Sequence, residues 1–117
     1  MSEWLGHHAE WLGTARFQGL LYDIGAYPGA VKSRNKNAKV IGDIYRMAQP
    51  HQVLATLDDY EECAPNHPRP HEYVRTIETI ELTEGPQTQA WIYLYNRPVD
   101  GLKTIVNGDY LTFDNNK

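Results

Sequence analysis

The segment "YVRTIETIELTEGPQTQAWIYLY", Tyr73–Tyr95, decides the fold. Its first part, "YVRTIETIEL", is rich in β-branched residues and is typical of a long β-strand. The motif "EGPQ" combines glycine with proline and predicts a turn. The last part, "TQAWIYLY", predicts a second strand with one side formed by Gln89, Trp91, Tyr93 and Tyr95. Two strands without an intervening helix favour a sheet with antiparallel strands.

Further strands and a helix are predicted before this segment. The stretch "ARFQGLLYDIG", residues 15–25, indicates a strand in which Gly19 is a candidate β-bulge. The stretch "VIGDIYRM", Val40–Met47, alternates between apolar and polar residues and indicates another strand. Pro50 suits the first turn of a helix that runs to about Glu62.

The remaining N-terminal residues give weaker patterns. "SEWLGHHAEWLG", Ser2–Gly13, predicts a short helix that Ser2 caps and Gly13 ends. "GAYPGA", residues 25–30, predicts a turn, and "VKSRNKNAKV", residues 31–40, predicts a polar loop. Strands outnumber helices and do not alternate with them regularly. The sequence therefore predicts an α+β fold with an antiparallel sheet or a small barrel.

The composition limits the classes of function. The 117 residues suit one domain, residues 1–117, rather than two. The net charge of −4 disfavours a nucleic-acid partner. The lone cysteine, Cys63, excludes an internal disulfide and fits a reducing compartment. No apolar run reaches the roughly 18 residues of a membrane helix, and no signal peptide is recognisable. We therefore expect a soluble cytoplasmic protein with no membrane partner.

Glu61 occupies an unusual position in the predicted central helix. At about 100° per residue, the apolar positions fall on one face: Val53, Leu54 and Leu57. Glu61 lies only about 35° from the centre of that face, whereas the other acids lie at its edge or away from it: Asp58, Asp59 and Glu62. A carboxylate on an apolar face is costly unless it is paired or protonated.

Three alternatives explain Glu61. Glu61 forms an ion pair with Arg75 or Arg69, or it lies at the rim of the apolar face with its stem packed and its carboxylate in water. The third alternative is that it lines a pocket. In a pocket, partial burial raises the pKa of a carboxyl towards the range useful for general acid–base catalysis. Spacing alone leaves these alternatives open. For Arg75 we expect a structural ion pair with either Asp58 or Glu61.

Six segments occur in a characteristic order: "LLYDIGAYPGAV" (Leu20–Val31), "GDIYRM" (Gly42–Met47), "LDDYE" (Leu57–Glu61), "YVRTIETIEL" (Tyr73–Leu82), "AWIYLY" (Ala90–Tyr95) and "NGDY" (Asn107–Tyr110). This ordered set resembles the gamma-glutamylcyclotransferase-like family, which includes gamma-glutamylamine cyclotransferases. The resemblance extends from about Trp11 to Tyr110. It implies a small mixed, mostly antiparallel β-barrel with flanking helices.

The resemblance also implies an activity and a site. In that family, the glutamate that closes the Leu-Asp-x-x-Glu pattern is the catalytic acid/base, a role that falls here to Glu61. The reaction cyclises the γ-glutamyl group of a small amine or peptide to 5-oxoproline and releases the amine. Substrate contacts are implied at Gly25, Tyr27 and Tyr95, with no metal and no cofactor. From the residues alone, a core aromatic stripe with Trp91 is the favoured interpretation of Tyr93 and Tyr95.

One family motif does not occur in this sequence. Members begin with a strand that ends in Tyr-Gly-Ser/Thr-Leu and supplies backbone donors for the substrate. Either Met1 is an internal methionine of a longer reading frame, or this member has lost the first strand. A lost strand leaves an open sheet edge that favours a homodimer. The alternatives to an active cyclotransferase are a catalytically silent small-molecule-binding or interaction domain, and a different lyase or transferase chemistry on the same fold.

Overall fold

The computed structural model describes residues 7–25, 27–61, 64, 66–67 and 69–110. The elements follow in the order β1 (Ala9–Asp23), β2 (Pro28–Lys32), β3 (Lys39–Met47), α1 (Pro50–Tyr60), β4 (Tyr73–Leu82), β5 (Gln87–Tyr95) and β6 (Lys103–Thr104). The six strands form one antiparallel sheet, in which β1 pairs with β2, β3, β4 and β6, and β4 pairs with β5. The predicted α+β class with a mostly antiparallel sheet is confirmed. Over the described residues the sheet is open rather than closed into a barrel.

The long strand β1 organises the sheet. Its first part pairs with β3 from Ala9↔Met47 to Gln18↔Lys39, and its last part pairs with β2 and β6. The helix predicted for Ser2–Gly13 is therefore wrong from Ala9 onwards, although His7 and His8 are helical. Residues 1–6 lie outside the described residues. A few residues of helical periodicity do not outweigh a ladder of hydrogen bonds to a partner strand that is distant in sequence.

Two glycines of β1 have different roles from those predicted. The register shifts between Trp11 and Gly13, where Gly13 has φ +136°. Gly19 continues the ladder opposite Lys32 and is not a bulge. A Cβ atom at Gly19 would collide with the carbonyl oxygen of Val31, so this glycine permits close approach of two backbones.

The second strand was missed. Pro28–Lys32 pairs with Gly19–Asp23 in an antiparallel register, although a turn and a loop were predicted there. Pro28 begins the strand, a position at which the absence of a backbone N–H is tolerated. Gly29 then lets β2 approach β5, since a Cβ atom there would lie 2.9 Å from the Cβ of Tyr95.

The hairpin of β4 and β5 separates a core face from an outer face. Its register runs from Tyr73↔Tyr95 to Glu81↔Gln87, as two strands joined by the predicted turn require. The core face contributes Ile80 and Leu94 to a cluster completed by Ala15, Phe17, Leu21, Val40 and Ile105. The outer face carries the alternate residues of the hairpin and packs against α1 and a cavity.

Helix α1 begins at Pro50, as predicted, and ends at Tyr60, two residues before the predicted end. Val53 and Leu54 are buried and Leu57 is half-buried, so the apolar face faces the protein interior. Glu61 follows as the C-cap residue, and its N–H donates to the carbonyl oxygen of Leu57 at 2.8 Å. Glu61 is thus held to the final turn of the helix. No helix among the described residues is long and apolar enough to cross a membrane.

Candidate active site

A cavity of about 490 Å³ lies where the end of α1 meets the first residues of β2 and β4. Its walls are largely aromatic and aliphatic, with two carboxylates: Leu21, Tyr27, Pro28, Ala30, Tyr60, Glu61, Glu72, Tyr73 and Tyr93. Apolar walls with a few convergent polar groups are typical of small-molecule sites.

Glu61 is half-buried in this cavity. Within the described part of the chain, no side chain hydrogen-bonds or ion-pairs with its carboxylate. Burial raises the pKa of the Glu61 carboxyl, and the nearby negative charge of Glu72 raises it further. Of the three alternatives for Glu61, the geometry matches the pocket. The ion pair with Arg75 is formed by Asp58 instead.

Asp58 lies one helical turn before Glu61 and is the ion-pair partner of Arg75. Its carboxylate accepts hydrogen bonds from Arg75 Nε at 2.8 Å and from Arg75 Nη2 at 3.0 Å, and one from the Tyr93 hydroxyl at 2.6 Å. The Asp58 side chain is only 17% exposed, and Asp58 rather than Glu61 forms the structural ion pair with Arg75 that the sequence left open between them. A bidentate arginine–carboxylate pair fixes geometry as well as charge.

Glu72 is a second acidic residue of the cavity, and the sequence analysis missed it. The Tyr27 hydroxyl donates to both of its carboxylate oxygens, at 3.0 and 2.9 Å, and Arg97 Nη1 donates to Oε2 at 3.3 Å. The hydrogen bond to this anion raises the pKa of the Tyr27 hydroxyl. No sequence pattern separates Glu72 from the other acids of the chain, because its position depends on how the loop after α1 returns to the sheet.

Tyr73 forms the buried aromatic wall of the cavity. Its hydroxyl donates to the carbonyl oxygen of Pro28 at 2.8 Å. Its ring centroid lies 6.2 Å from that of Tyr27 and 5.7 Å, edge-on, from that of Tyr95. Burial is the main cause of the raised pKa of the Tyr73 hydroxyl, which stays protonated at neutral pH. Tyr73 therefore holds β2 against the hairpin and closes one side of the cavity.

The structure brings only some of the predicted site residues together. Glu61 and Tyr27 both line the cavity. Gly25 lies in the exposed turn after β1, where its N–H donates to Asp23 Oδ1 at 2.9 Å, and it does not line the cavity. Tyr95 packs against Tyr73, outside the lining residues.

The favoured interpretation of a core aromatic stripe on β5 is wrong. Trp91 is 44% exposed, and Tyr93 lines the cavity while donating to Asp58. The β5 residue of the core is Leu94, on the opposite side of the strand. Side chains alternate between the two faces of a strand. The sequence alone does not show whether the aromatic or the aliphatic face of β5 packs against the core.

Comparisons with known proteins identify relatives over most of the chain. The family model described as "Gamma-glutamyl cyclotransferase, AIG2-like" matches residues 1–112. The gamma-glutamylcyclotransferase family protein YtfP of Escherichia coli K12 is 37% identical over an alignment of 114 residues, and the match covers 92% of this chain and 87% of YtfP. The corresponding protein of Citrobacter rodentium is 38% identical over 94 residues, or 80% and 68% of the two chains.

A solved structure agrees with these matches. The solution NMR structure of Escherichia coli ytfP superposes with a TM-score of 0.65 at 36% identity, and the match covers 94% of this chain and 84% of that chain.

Proposed function

Since this chain belongs to the AIG2-like gamma-glutamyl cyclotransferase family, we propose that it cyclises the γ-glutamyl group of a small amine or peptide to 5-oxoproline. Membership supports a cyclotransferase function in general, and Glu61 is the residue we propose as its general acid/base. The observation that carries this assignment is the half-buried Glu61 carboxyl in a cavity walled by tyrosines. Its pKa is raised, and no side chain among the described residues pairs with it.

Comparison of Glu61 with Asp58 supports the choice of residue. Asp58 is held by three hydrogen bonds from Arg75 and Tyr93, so its carboxylate is already occupied. A general base must reach the proton that it removes, and its pKa must lie near the working pH. Glu61 meets the first condition by facing the cavity, and the shift of its pKa goes in the required direction.

The proposed reaction needs one side chain that both accepts and donates a proton. The Glu61 carboxylate removes a proton from the substrate's α-ammonium group, whose pKa is about 8. The free α-amine attacks the γ-carbonyl carbon, a new C–N bond closes the five-membered ring, and the bond to the leaving nitrogen breaks. The Glu61 carboxyl gives its proton to that nitrogen, and the ring nitrogen gives up its second proton to the regenerated carboxylate. Because nucleophile and electrophile belong to one molecule, a cavity that holds the substrate curled supplies most of the rate advantage.

The test measures 5-oxoproline release from a panel of γ-glutamyl amines and γ-glutamyl dipeptides. Glu61→Gln is compared with the wild-type protein, and Glu84→Gln is the matched control because Glu84 is exposed in the turn between β4 and β5. We expect release by the wild-type protein and the control, and loss of at least about 100-fold in Glu61→Gln, the usual scale for a general acid/base.

Release that persists in Glu61→Gln would remove Glu61 from the mechanism. If the wild-type protein binds γ-glutamyl compounds in the same panel without releasing 5-oxoproline, the catalytically silent binding domain becomes the better description. Binding of the panel is measured by isothermal titration calorimetry on the same preparation.

A homodimer through the sheet edge is a further part of the proposal. In the described part of the chain β5 ends the strand order, and its nine residues, "QTQAWIYLY", carry neither charge nor proline. Edge strands that remain unpaired usually carry such protective residues. In a two-fold interface residue i of one strand meets residue j of the other, and an uncharged strand pairs with its copy without bringing like charges together.

A further inference from the structure

A second group of side chains lies beside the cavity, on the outer face of the hairpin. Arg75 of β4 and Tyr93 of β5 are register partners, and both donate to Asp58 of α1. The guanidinium carbon of Arg75 lies 4.4 Å from the centroid of the Trp91 ring, so the arginine is fixed from two sides. We call Asp58, Arg75, Tyr93 and Trp91 the Asp58 cluster.

The Asp58 cluster joins the last turn of α1 to the sheet. Within the described residues, Asp58 is the helix residue whose side chain hydrogen-bonds to the sheet. Asp58 and Arg75 are only 17% and 25% exposed, respectively. At this burial water screens the pair weakly, and its planar two-bond geometry restricts rotation of the helix end.

Glu61 follows Asp58 by three residues, a spacing that places two helix positions on the same side. The N–H of Glu61 still bonds to the carbonyl oxygen of Leu57, so the position of Glu61 follows the orientation of the final turn. Tyr93 belongs to both the cavity and the Asp58 cluster, since it lines the cavity and its hydroxyl donates to Asp58. Any rotation of the helix end that breaks the Asp58 contacts therefore moves Glu61 relative to the cavity.

We propose that the Asp58 cluster positions Glu61, so that Asp58 and Arg75 are positioning residues for the reaction. This inference rests on the proposed function for its catalytic consequence, whereas its structural part concerns only where the Glu61 carboxyl lies. The two parts are measured separately below.

The principal variant is the double substitution Asp58→Asn with Arg75→Gln. It removes one negative and one positive charge together, so the local net charge is unchanged and no buried charge is left alone. The matched control is Arg16→Gln with Glu81→Gln, which removes an exposed pair 3.9 Å apart on β1 and β4. Arg75→Lys keeps the charge but loses the planar fork, and it serves as the variant that folds if the double variant does not.

The first readout is the pKa of Glu61, measured from its carboxyl ¹³C shift by NMR on each intact protein. We expect the pKa to fall towards its ordinary value in the double variant, because a released Glu61 becomes solvated. The second readout is 5-oxoproline release. We expect kcat to fall by about 100-fold with KM nearly unchanged, the scale of a catalytic group displaced by about 1 Å. Arg75→Lys is expected to fall between the double variant and the wild type.

A purely structural role predicts another pattern. If the melting temperature falls while the pKa of Glu61 and kcat both stay at wild-type values, the positioning role is overturned. If the pKa of Glu61 falls in the double variant but the wild-type protein releases no 5-oxoproline, the cluster does position Glu61 and the proposed function is what fails. The control double variant must leave both readouts unchanged, since any change there would assign the effect to general loss of ion pairs.

Discussion

Glu61 and Glu72 line the same cavity, and the negative charge of Glu72 adds to burial in raising the pKa of the Glu61 carboxyl. The two acids differ in their partners. Glu72 accepts hydrogen bonds from Tyr27 and Arg97, whereas no described side chain pairs with Glu61. Among the described residues the cavity therefore holds one carboxylate with side-chain partners and one carboxyl without them, and four predictions follow from this difference and from the fold around it.

Glu61→Gln is expected to remove a pH-dependent loss of stability. The folded protein holds the Glu61 proton more tightly than the unfolded chain, in which the pKa is near its ordinary value of 4.5. The stabilising contribution is therefore fully present below pH 4.5 and is lost as pH rises through the higher folded pKa. Urea unfolding between pH 4 and pH 8 should show the variant gaining stability relative to the wild-type protein as pH rises. A variant that is strongly destabilised at pH 7 would instead identify Glu61 as part of a structural ion pair.

Glu72→Gln is expected to lower the pKa of Glu61, because a neighbouring like charge is removed. If Glu61 is the general base, the acidic limb of kcat/KM for 5-oxoproline release shifts to lower pH by the same amount as the pKa measured by NMR. Glu84→Gln, in the exposed turn of the hairpin, should leave both quantities unchanged. An acidic limb that does not move with the NMR pKa would assign that limb to another group.

Leu54→Ala is expected to destabilise the protein by about 2–5 kcal/mol, as a truncation of a buried leucine. Leu57→Ala should cost less, because Leu57 is half-buried while Leu54 is 9% exposed. Urea unfolding followed by circular dichroism measures both. The opposite order of the two costs would mean that α1 is rotated about its axis, which would also take Glu61 away from the cavity.

Gln89→Lys is expected to convert the proposed homodimer to a monomer. Gln89 is an exposed residue of β5, and pairing along that edge places the introduced lysine of each copy within the interface, where a charge opposes strand pairing. Light scattering coupled to size-exclusion chromatography should give a dimer mass for the wild-type protein and a monomer mass for the variant. A monomer mass for the wild-type protein at high concentration would exclude the edge as an interface.

Local patterns predicted the elements that are long and regular. β4 was predicted with the bounds observed, Tyr73–Leu82, and β5 and α1 within two residues at each end, because alternation and proline placement act within each segment. The short strand β2 and the first part of β1 were not predicted. The first part of β1 depends on β3, a strand that is distant in sequence. Strand β2 pairs with the nearby Gly19–Asp23, but its Pro28 and Gly29 are residues typical of a turn.

The residues of the candidate site were likewise predicted only in part. Glu61 was identified because an acid on an apolar helix face needs a local explanation, and the family resemblance gave it a role. Glu72 was not identified, since its contacts with Tyr27 and Arg97 join residues 45 and 25 positions apart in the chain. The sequence left open whether Arg75 pairs with Asp58 or with Glu61, and only the position of β4 shows that the partner is Asp58.

The sequence by itself determined the α+β class, the hairpin of β4 and β5, the start of α1 and the family to which the chain belongs, because each of these depends on the order and spacing of nearby residues. The tertiary structure alone decided which acid pairs with Arg75 and which faces the cavity. Asp58 and Glu61 lie on the same helix end, and their difference arises from Arg75 and Tyr93, which reach Asp58 and leave the Glu61 carboxyl in the cavity. Electrostatic environment is set by neighbours in space, and these neighbours come from strands that the chain brings back only after the helix has ended.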